Sequence, residues 1–218
     1  HTMMFTKYHA AGNDFILLNN LNKDIKENLS TEKIAKLCHR QLGIGADGLV
    51  ILQNWDESKN ILEIDLYNSD GGVTSMCANG TRCAFALLKK IKKWGDKNIT
   101  IKTVSGNYQA SVKGEDTWLA MPTSQIKSAE FDIKKVPTAF DFSQFYFADS
   151  GVPHSLFLVS DVAKLDLSKI APVVRHHEIF PQGCNVNFMT KVKDNEYNLR
   201  TFERGVEAET LSCGTGIL

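Results

Sequence analysis

The sequence has no excess of charge of either sign, because 25 lysine and arginine residues balance 25 aspartate and glutamate residues. We therefore expect no basic face for nucleic acid and predict no nucleic-acid partner. No apolar run approaches the roughly 20 residues that a membrane-spanning helix needs. The sequence also shows no signal peptide, so we predict no membrane partner.

Cysteine is scarce and irregularly spaced. The five cysteines are an odd number and lack the spacing of a disulfide framework, so we expect a reducing, cytoplasmic location. Cys77 and Cys83 lie six residues apart, and neither half of the chain has paired CxxC or HxxxH spacings. Since structural metal sites use such spacings, we predict no metal site.

Two short glycine-rich segments each contain a cysteine: residues 76–80 (MCANG) with Cys77, and residues 212–216 (SCGTG) with Cys213. Such a segment can begin a helix, which places the thiol and free backbone N–H groups at its positive end. This environment lowers the pKa of a thiol and can hold a carboxylate. Two such thiols in one chain indicate a pair of acid/base groups.

The chain repeats loosely around these segments. Three landmarks recur in the same order and at nearly the same spacing, namely Gly12, Gly45 and Cys77 in the first half and Gly151, Gly183 and Cys213 in the second. The repetition predicts two structurally related halves.

The local pattern alternates strands with a few helices. We expect a helix at residues 31–42 capped by Ser30, an apolar helix from Gly80 to about residues 94–95, and a third helix at residues 167–174. Strands are expected at residues 5–8, 15–18, 49–52, 61–67, 99–103, 108–112, 117–121, 145–148, 155–159, 186–189 and 197–202. The resulting organisation is a first half at 4–121 with Cys77, a crossing segment at 122–140, and a second half at 141–218 with Cys213.

Seven motifs together identify a family resemblance. They are residues 7–15 (KYHAAGNDF), 43–48 (GIGADG), 68–71 (NSDG), 76–83 (MCANGTRC), 151–154 (GVPH), 185–188 (NVNF) and 203–216 (ERGVEAETLSCGTG). In these motifs the chain resembles the diaminopimelate epimerases, a family of cofactor-independent amino-acid epimerases of lysine and peptidoglycan precursor synthesis. The resemblance implies an α/β (α+β) fold with two pseudo-symmetric halves. Each half is a curled, mainly antiparallel sheet around a central helix, and the site lies in the cleft between the halves.

The resemblance implies conversion of LL-diaminopimelate to meso-diaminopimelate by two thiols. Inverting an α-carbon requires one group to remove a proton from one face and another to return a proton to the opposite face. By resemblance, Cys77 and Cys213 are this catalytic pair and exchange thiolate and thiol roles with the direction of reaction. The family uses neither pyridoxal phosphate nor metal, so no cofactor is expected.

The remaining site residues are also carried over by resemblance. Glu203 is expected to meet an ammonium group and tune a thiol, Arg204 to pair with the distal carboxylate, and His154 to tune a thiol. The other substrate-binding positions are Asn13, Asn68, Ala78, Asn79, Asn185, Gly214 and Thr215, of which Ala78, Gly214 and Thr215 contribute backbone N–H groups. Cys38, Cys83 and Cys184 are expected to be structural.

Four departures from the family pattern stand out. Ala78 replaces a glycine whose N–H it retains, provided its φ is negative. Val152 stands where many members carry an asparagine, and Gly48 where some carry a glutamine. Family members also continue beyond the position of Leu218. We therefore expect a longer natural protein, and in this chain a second half without its central helix, closing strands or core, with Cys213 unactivated.

Other functions stay open at this stage. Proline racemases and hydroxyproline epimerases share the fold and use two cysteines, but typically carry a histidine at the position of Asn79. Phenazine-type isomerases lack the cysteine pair. A non-catalytic amino-acid-binding module would not need both thiols, and a thiol oxidoreductase is disfavoured because neither cysteine lies in a CxxC motif. A homodimer is left open.

Overall fold

The computed structural model describes residues 3–25, 29–74, 76–92, 97–114, 116–121, 132–150 and 152–216, except for the side chain of Thr215. The chain forms two compact units, His1–Pro122 and Thr123–Leu218. The first unit contains β1 (Thr6–Ala10), β2 (Asn13–Asn19), α1 (Thr31–Cys38), β3 (Gly48–Asp56), β4 (Ile61–Asn68), α2 (Ala78–Lys92), β5 (Ile99–Thr103), β6 (Gly106–Lys113) and β7 (Asp116–Leu119).

The described strands of the first unit form one sheet in chain order, β1 to β7, with mostly antiparallel pairing. The apolar run of β2 is buried on both faces, because successive side chains of a strand point to opposite sides. Leu17 packs with Phe85 and Leu88 of α2. Ile16 packs with Ile34 of α1 in a second cluster. The sheet therefore lies between two helices, and α2 is the central helix of this unit.

α1 begins as expected but ends earlier. The Ser30 side chain accepts the N–H of Lys33, as an N-cap should. His39 then leaves the helical region with ψ 123°, and the N–H of Ile44 donates to the Leu37 carbonyl at 2.9 Å. The chain thus folds back over the last helical carbonyls, so the expected extension to residue 42 is wrong. The predicted end of the central helix at residues 94–95 lies outside the described residues.

The second unit contains β8 (Gln144–Asp149), β9 (Pro153–Leu158), α3 (Leu167–Arg175), β10 (Asn185–Lys193), β11 (Glu196–Glu203) and the unpredicted β12 (Ala208–Thr210). Its strand order is β12-β11-β10-β9-β8. Phe140 packs edge-on against Phe157 and Phe188, with ring centroids 5.1 Å apart in both pairs. Ala171 and Val174 of α3 join the same cluster. The expectation that this sheet would have no core is wrong for the face that α3 covers.

The two units repeat one plan, as the sequence landmarks predicted. In both, two antiparallel strands are followed by a helix and a further antiparallel pair, and the second and third strands pair in parallel. Gly45 and Gly183 precede the third strand of each plan with φ of +80° and +64°, a region that favours glycine. Gly151 lies outside the described residues, as do residues 122–131 of the expected crossing segment. Of the helices in the described ranges, none combines the length and apolar character needed to cross a membrane.

Candidate active site

Cys77 occupies the N-cap position of α2. Its carbonyl accepts the N–H of Thr81 at 2.9 Å, and its Sγ accepts the N–H of Gly80 at 3.4 Å. A serine or threonine oxygen usually takes this role. The first turn of α2 carries no acidic residue, so no carboxylate there offsets the positive end of the helix. A negative charge on Sγ is therefore stabilised at this position.

Two predicted amide residues lie beside this thiol. Asn13 is the first residue of β2 and Asn79 lies in the first turn of α2. Both are buried, at 2% and 4% exposure. Nδ2 of Asn79 donates to Oδ1 of Asn13 at 3.2 Å, and Sγ of Cys77 lies 4.0 Å from the same oxygen. The structure thus brings Cys77, Asn13 and Asn79 together.

A charged cluster that sequence reasoning did not assign lies behind Asn13. Nδ2 of Asn13 donates to Oδ2 of Asp47 at 2.8 Å, while Nη2 of Arg40 contacts Oδ1 of Asp47 at 2.6 Å and Oδ1 of Asp14 at 2.8 Å. Lys7 Nζ lies 2.6 Å from Asp14. Burial works against ionisation of Asp14, yet hydrogen bonds from Arg40 and Lys7 hold the pKa of its carboxyl well below its usual range. The GAD motif at residues 45–47, which contains Asp47, could have indicated this cluster from the sequence.

The first unit also contains two departures from the family pattern, Ala78 and Gly48, and one predicted substrate-binding residue, Asn68. Ala78 is the first residue of α2 and so has a helical φ, which retains its N–H without strain. Asn68, the last residue of β4, pairs across the ladder with Gly48. A Cβ at Gly48 would lie 2.6 Å from the Tyr67 carbonyl oxygen, so this backbone accommodates only glycine there.

Cys213 lies before a short 3₁₀ turn, Gly214–Gly216, which also contains the backbone of Thr215. Its carbonyl accepts the N–H of Gly216 at 3.1 Å. A Cβ at Gly216 would lie 2.7 Å from Oδ1 of Asn187 and 3.3 Å from the His154 ring. The turn therefore packs against these two side chains, and only glycine fits at position 216. Residues 217 and 218 are not described, so the expectation about the helix after Cys213 stays a prediction.

His154 is buried, and its ring lies between side-chain amides. Burial lowers the pKa of His154 to about 4, so the ring is neutral near neutral pH. Asn187 accepts the Thr201 hydroxyl at 2.8 Å on Oδ1 and donates from Nδ2 to the Ser155 carbonyl at 2.9 Å. The same Nδ2 lies 3.0 Å from Nδ1 of His154, which must then be the acceptor. Nδ2 of Asn185 lies 3.4 Å from the other ring nitrogen, Nε2, so side-chain amides face both nitrogens of the ring.

Three further predicted residues of the second unit lie at the ends of β10 and β11, namely Asn185, Glu203 and Arg204. Asn185, the first residue of β10, pairs with His154 in the ladder, and its Oδ1 accepts the N–H of Arg204 at 2.8 Å. Nη1 of Arg204 donates to the Gln182 carbonyl at 2.9 Å. Glu203, the last residue of β11, accepts the hydroxyl of Thr210 at 2.7 Å. Asn187 and Thr201 were missed because their roles depend on the register of three strands.

The other cysteines lie in apolar cores. Burial raises the pKa of Cys38 to about 11 and that of Cys83 to about 12, and it also raises the pKa of Cys184. These thiols therefore stay protonated near neutral pH. Across the described residues, no three His, Cys, Asp or Glu side chains are grouped so that they could hold a metal ion.

The fold is shared with solved structures of low sequence identity. A hydroxyproline epimerase from Agrobacterium vitis superposes with a TM-score of 0.63 at 14% identity, covering 99% of this chain and 74% of that one. A phenazine biosynthesis family protein from Enterococcus faecalis gives a TM-score of 0.64 at 12% identity, covering 98% and 79%. These likenesses establish the predicted fold class.

Sequence relatives are closer. A diaminopimelate epimerase from Hydrogenobaculum sp. is 34% identical, over 98% of this chain and 79% of the relative. One from Methanocella arvoryzae is 36% identical, over 97% and 78%. The family model for diaminopimelate epimerase matches residues 5–127 and 146–218. The chain therefore belongs to the diaminopimelate epimerase family, which is a family of amino-acid isomerases.

Proposed function

We propose that this chain converts LL-diaminopimelate to meso-diaminopimelate, with Cys77 and Cys213 as the two acid/base groups. The relatives that match nearly the whole chain are named diaminopimelate epimerases, after this reaction. The observation that carries the assignment of Cys77 is its N-cap position, where the Gly80 N–H contacts Sγ and the helix end favours negative charge. We extend the proposal to a role in lysine and peptidoglycan precursor synthesis.

The proton transfers balance without a further reagent. One thiolate removes the α-proton and leaves the electron pair of the C–H bond on the α-carbon. The second cysteine, protonated, gives its proton to the opposite face of that carbon. The first cysteine ends as a thiol and the second as a thiolate, so the reverse reaction uses the same groups in exchanged roles.

In this proposal the charged groups of the substrate have partners among the predicted site residues. The backbone N–H groups of Ala78 and Asn79 at the start of α2, and those of Gly214 and Thr215, are candidate donors to the α-carboxylate, which becomes more basic as the carbanion forms. Asn13, Asn68, Asn79 and Asn185 supply amide contacts in this proposal. Arg204 supplies a planar donor for the distal carboxylate, and Glu203 a partner for an ammonium group.

The test follows LL-diaminopimelate in D₂O by proton NMR and separates the stereoisomers chromatographically. We expect loss of the α-proton signal together with formation of the meso isomer. Cys77→Ala and Cys213→Ala should each slow inversion by about 10³-fold, within the range of general acid–base catalysis. Cys184→Ala removes a buried, protonated thiol and is the matched control that should retain activity.

Three outcomes would contradict the proposal. Inversion at an unchanged rate in Cys77→Ala or Cys213→Ala would remove that thiol from the mechanism. Turnover of proline or hydroxyproline in place of diaminopimelate would assign the chain to the racemases that share its fold. Binding of diaminopimelate without α-proton exchange, in protein whose two thiols are intact, would indicate a binding module.

A further inference from the structure

We propose that Asp47, held by Arg40, is a positioning residue that sets the orientation of the Asn13 amide beside Cys77. The catalytic importance of this orientation rests on the proposed function. The orientation itself is a property of the first unit, and it can be tested without substrate.

The Asn13 amide has two different ends, and its neighbours accept only one arrangement. Asp47 presents a carboxylate oxygen 2.8 Å from Nδ2, and an ionised carboxylate can only accept hydrogen bonds. On the other side, Asn79 presents its own Nδ2 at 3.2 Å to the Asn13 oxygen. A flipped amide would set an oxygen against the carboxylate and two NH₂ groups against each other.

Asp47 is itself fixed in place. Its Oδ1 contacts Arg40 Nη2 at 2.6 Å, and its Oδ2 also accepts the N–H of Asp14 at 3.2 Å. The N–H of Asp47 in turn donates to Oδ1 of Asp14 at 3.0 Å. Arg40 therefore joins two carboxylates whose backbones are also bonded, and the acceptor for Asn13 cannot rotate away without breaking several contacts.

The orientation determines which dipole end Cys77 meets. The Asn13 oxygen lies 4.0 Å from Sγ and favours the protonated thiol, whereas the N–H of Gly80 at 3.4 Å favours the thiolate. The two contacts oppose each other, which suits a group that must hold and release a proton. If Asp47 no longer accepts from Asn13, the amide can turn its NH₂ group toward Cys77, and this change favours the thiolate.

The test measures the alkylation rate of Cys77 by iodoacetamide against pH, with each cysteine resolved by peptide mass spectrometry. At pH 7, the alkylation rate of Cys77 in Asp47→Ala should be about three times the rate in Asp14→Asn. A threefold change corresponds to a shift of about 0.5 pH unit in the midpoint of the rate profile. Asp14→Asn is the matched control, because it removes a carboxylate charge from the same cluster without touching the Asn13 side chain. Asp47→Asn retains an acceptor oxygen and should behave like Asp14→Asn.

A double-mutant cycle separates positioning from charge. In an Asn13→Ala background, Asp47→Ala should raise the alkylation rate of Cys77 no more than Asp14→Asn does. Equal rates for Asp47→Ala and Asp14→Asn, or an excess that persists without Asn13, would overturn the proposal. Either result is independent of whether diaminopimelate is turned over, so failure of the proposed function would be recognised separately.

A measurement on the unaltered protein covers the case in which Asp47→Ala does not fold. The side-chain NH₂ of Asn13, assigned by its loss in Asn13→Ser, should exchange with solvent at least tenfold more slowly than that of the exposed Asn195, because one hydrogen is bonded to Asp47. Exchange as fast as that of Asn195 would overturn the assigned contact.

Discussion

The two cysteine turns share a sequence pattern but are supported by different chemistry. Cys77 caps the fifteen-residue α2, and the amide next to it is held by the carboxylate of Asp47. Cys213 precedes a three-residue turn, which is seated against an amide held by a hydroxyl and an imidazole. The first support is ionic and partly exposed, whereas the second is neutral and buried. We therefore expect the two halves to respond to different perturbations, the first to salt and the second to acid.

The largest expected difference is a dependence of stability on pH that arises in the second half. His154 has a pKa lowered from 6.5 to about 4 by burial. Between these values the unfolded chain binds a proton that the folded chain does not, so stability is full above about pH 6.5 and falls as the pH decreases toward 4. The loss is on the order of 3 kcal/mol. Urea unfolding of the protein at pH 7.5 and 4.5 measures it.

His154→Gln supplies the control for this effect, because glutamine has no proton to gain in this range. The variant should show a smaller decrease of unfolding free energy between the two pH values than the unaltered protein. An equal decrease in both proteins would assign the acid sensitivity to other groups.

Sequence reasoning identified the features that neighbours along the chain determine. The Ser30 cap, the apolar run of β2 and the position of Cys77 at a helix start all follow from local patterns, and the structure contains each of them. The repeated landmarks predicted the common plan of the two units, because a glycine with positive φ is needed at the same point in each.

The missed residues depend on contacts between distant segments. Thr201 reaches Asn187 only because β10 and β11 pair in one register, and Asn187 reaches His154 only because β9 pairs with β10 in parallel. Asp47 reaches Asn13 because β2 and β3 lie side by side. No periodicity in the sequence encodes these registers. The early end of α1 has the same cause, since the segment after it folds back over the helix carbonyls.

The glycines three residues after each cysteine, Gly80 and Gly216, should differ in how strongly substitution by alanine destabilises the protein. A Cβ at Gly216 would lie 2.7 Å from Oδ1 of Asn187, which three hydrogen bonds hold in place, so Gly216→Ala should destabilise the protein by about 1–3 kcal/mol. A Cβ at Gly80 would meet Leu66 and Phe15 at 3.2 Å, and alanine there gains helix propensity. Gly80→Ala should therefore be much closer to neutral. Urea unfolding measures the free energy of unfolding of both variants, and a larger loss for Gly80→Ala than for Gly216→Ala would contradict this prediction.

The smallest effect is the salt dependence that the ionic support of the first half should show. The Arg40 side chain is 55% exposed, so its pairing with Asp14 and Asp47 is partly screened by solvent. Arg40→Gln should lower the free energy of unfolding by no more than about 1 kcal/mol at low salt, and this cost should shrink toward zero at 1 M NaCl.

Thr201→Val, which removes the hydroxyl that donates to Asn187, is the matched variant of the second half. Its cost, about 1 kcal/mol or more because an amide oxygen loses its donor in a buried site, should not depend on salt. Urea unfolding of both variants at 0.05 and 1 M NaCl tests the difference, and equal salt dependence in the two would mean that the ionic and neutral supports are not energetically distinct.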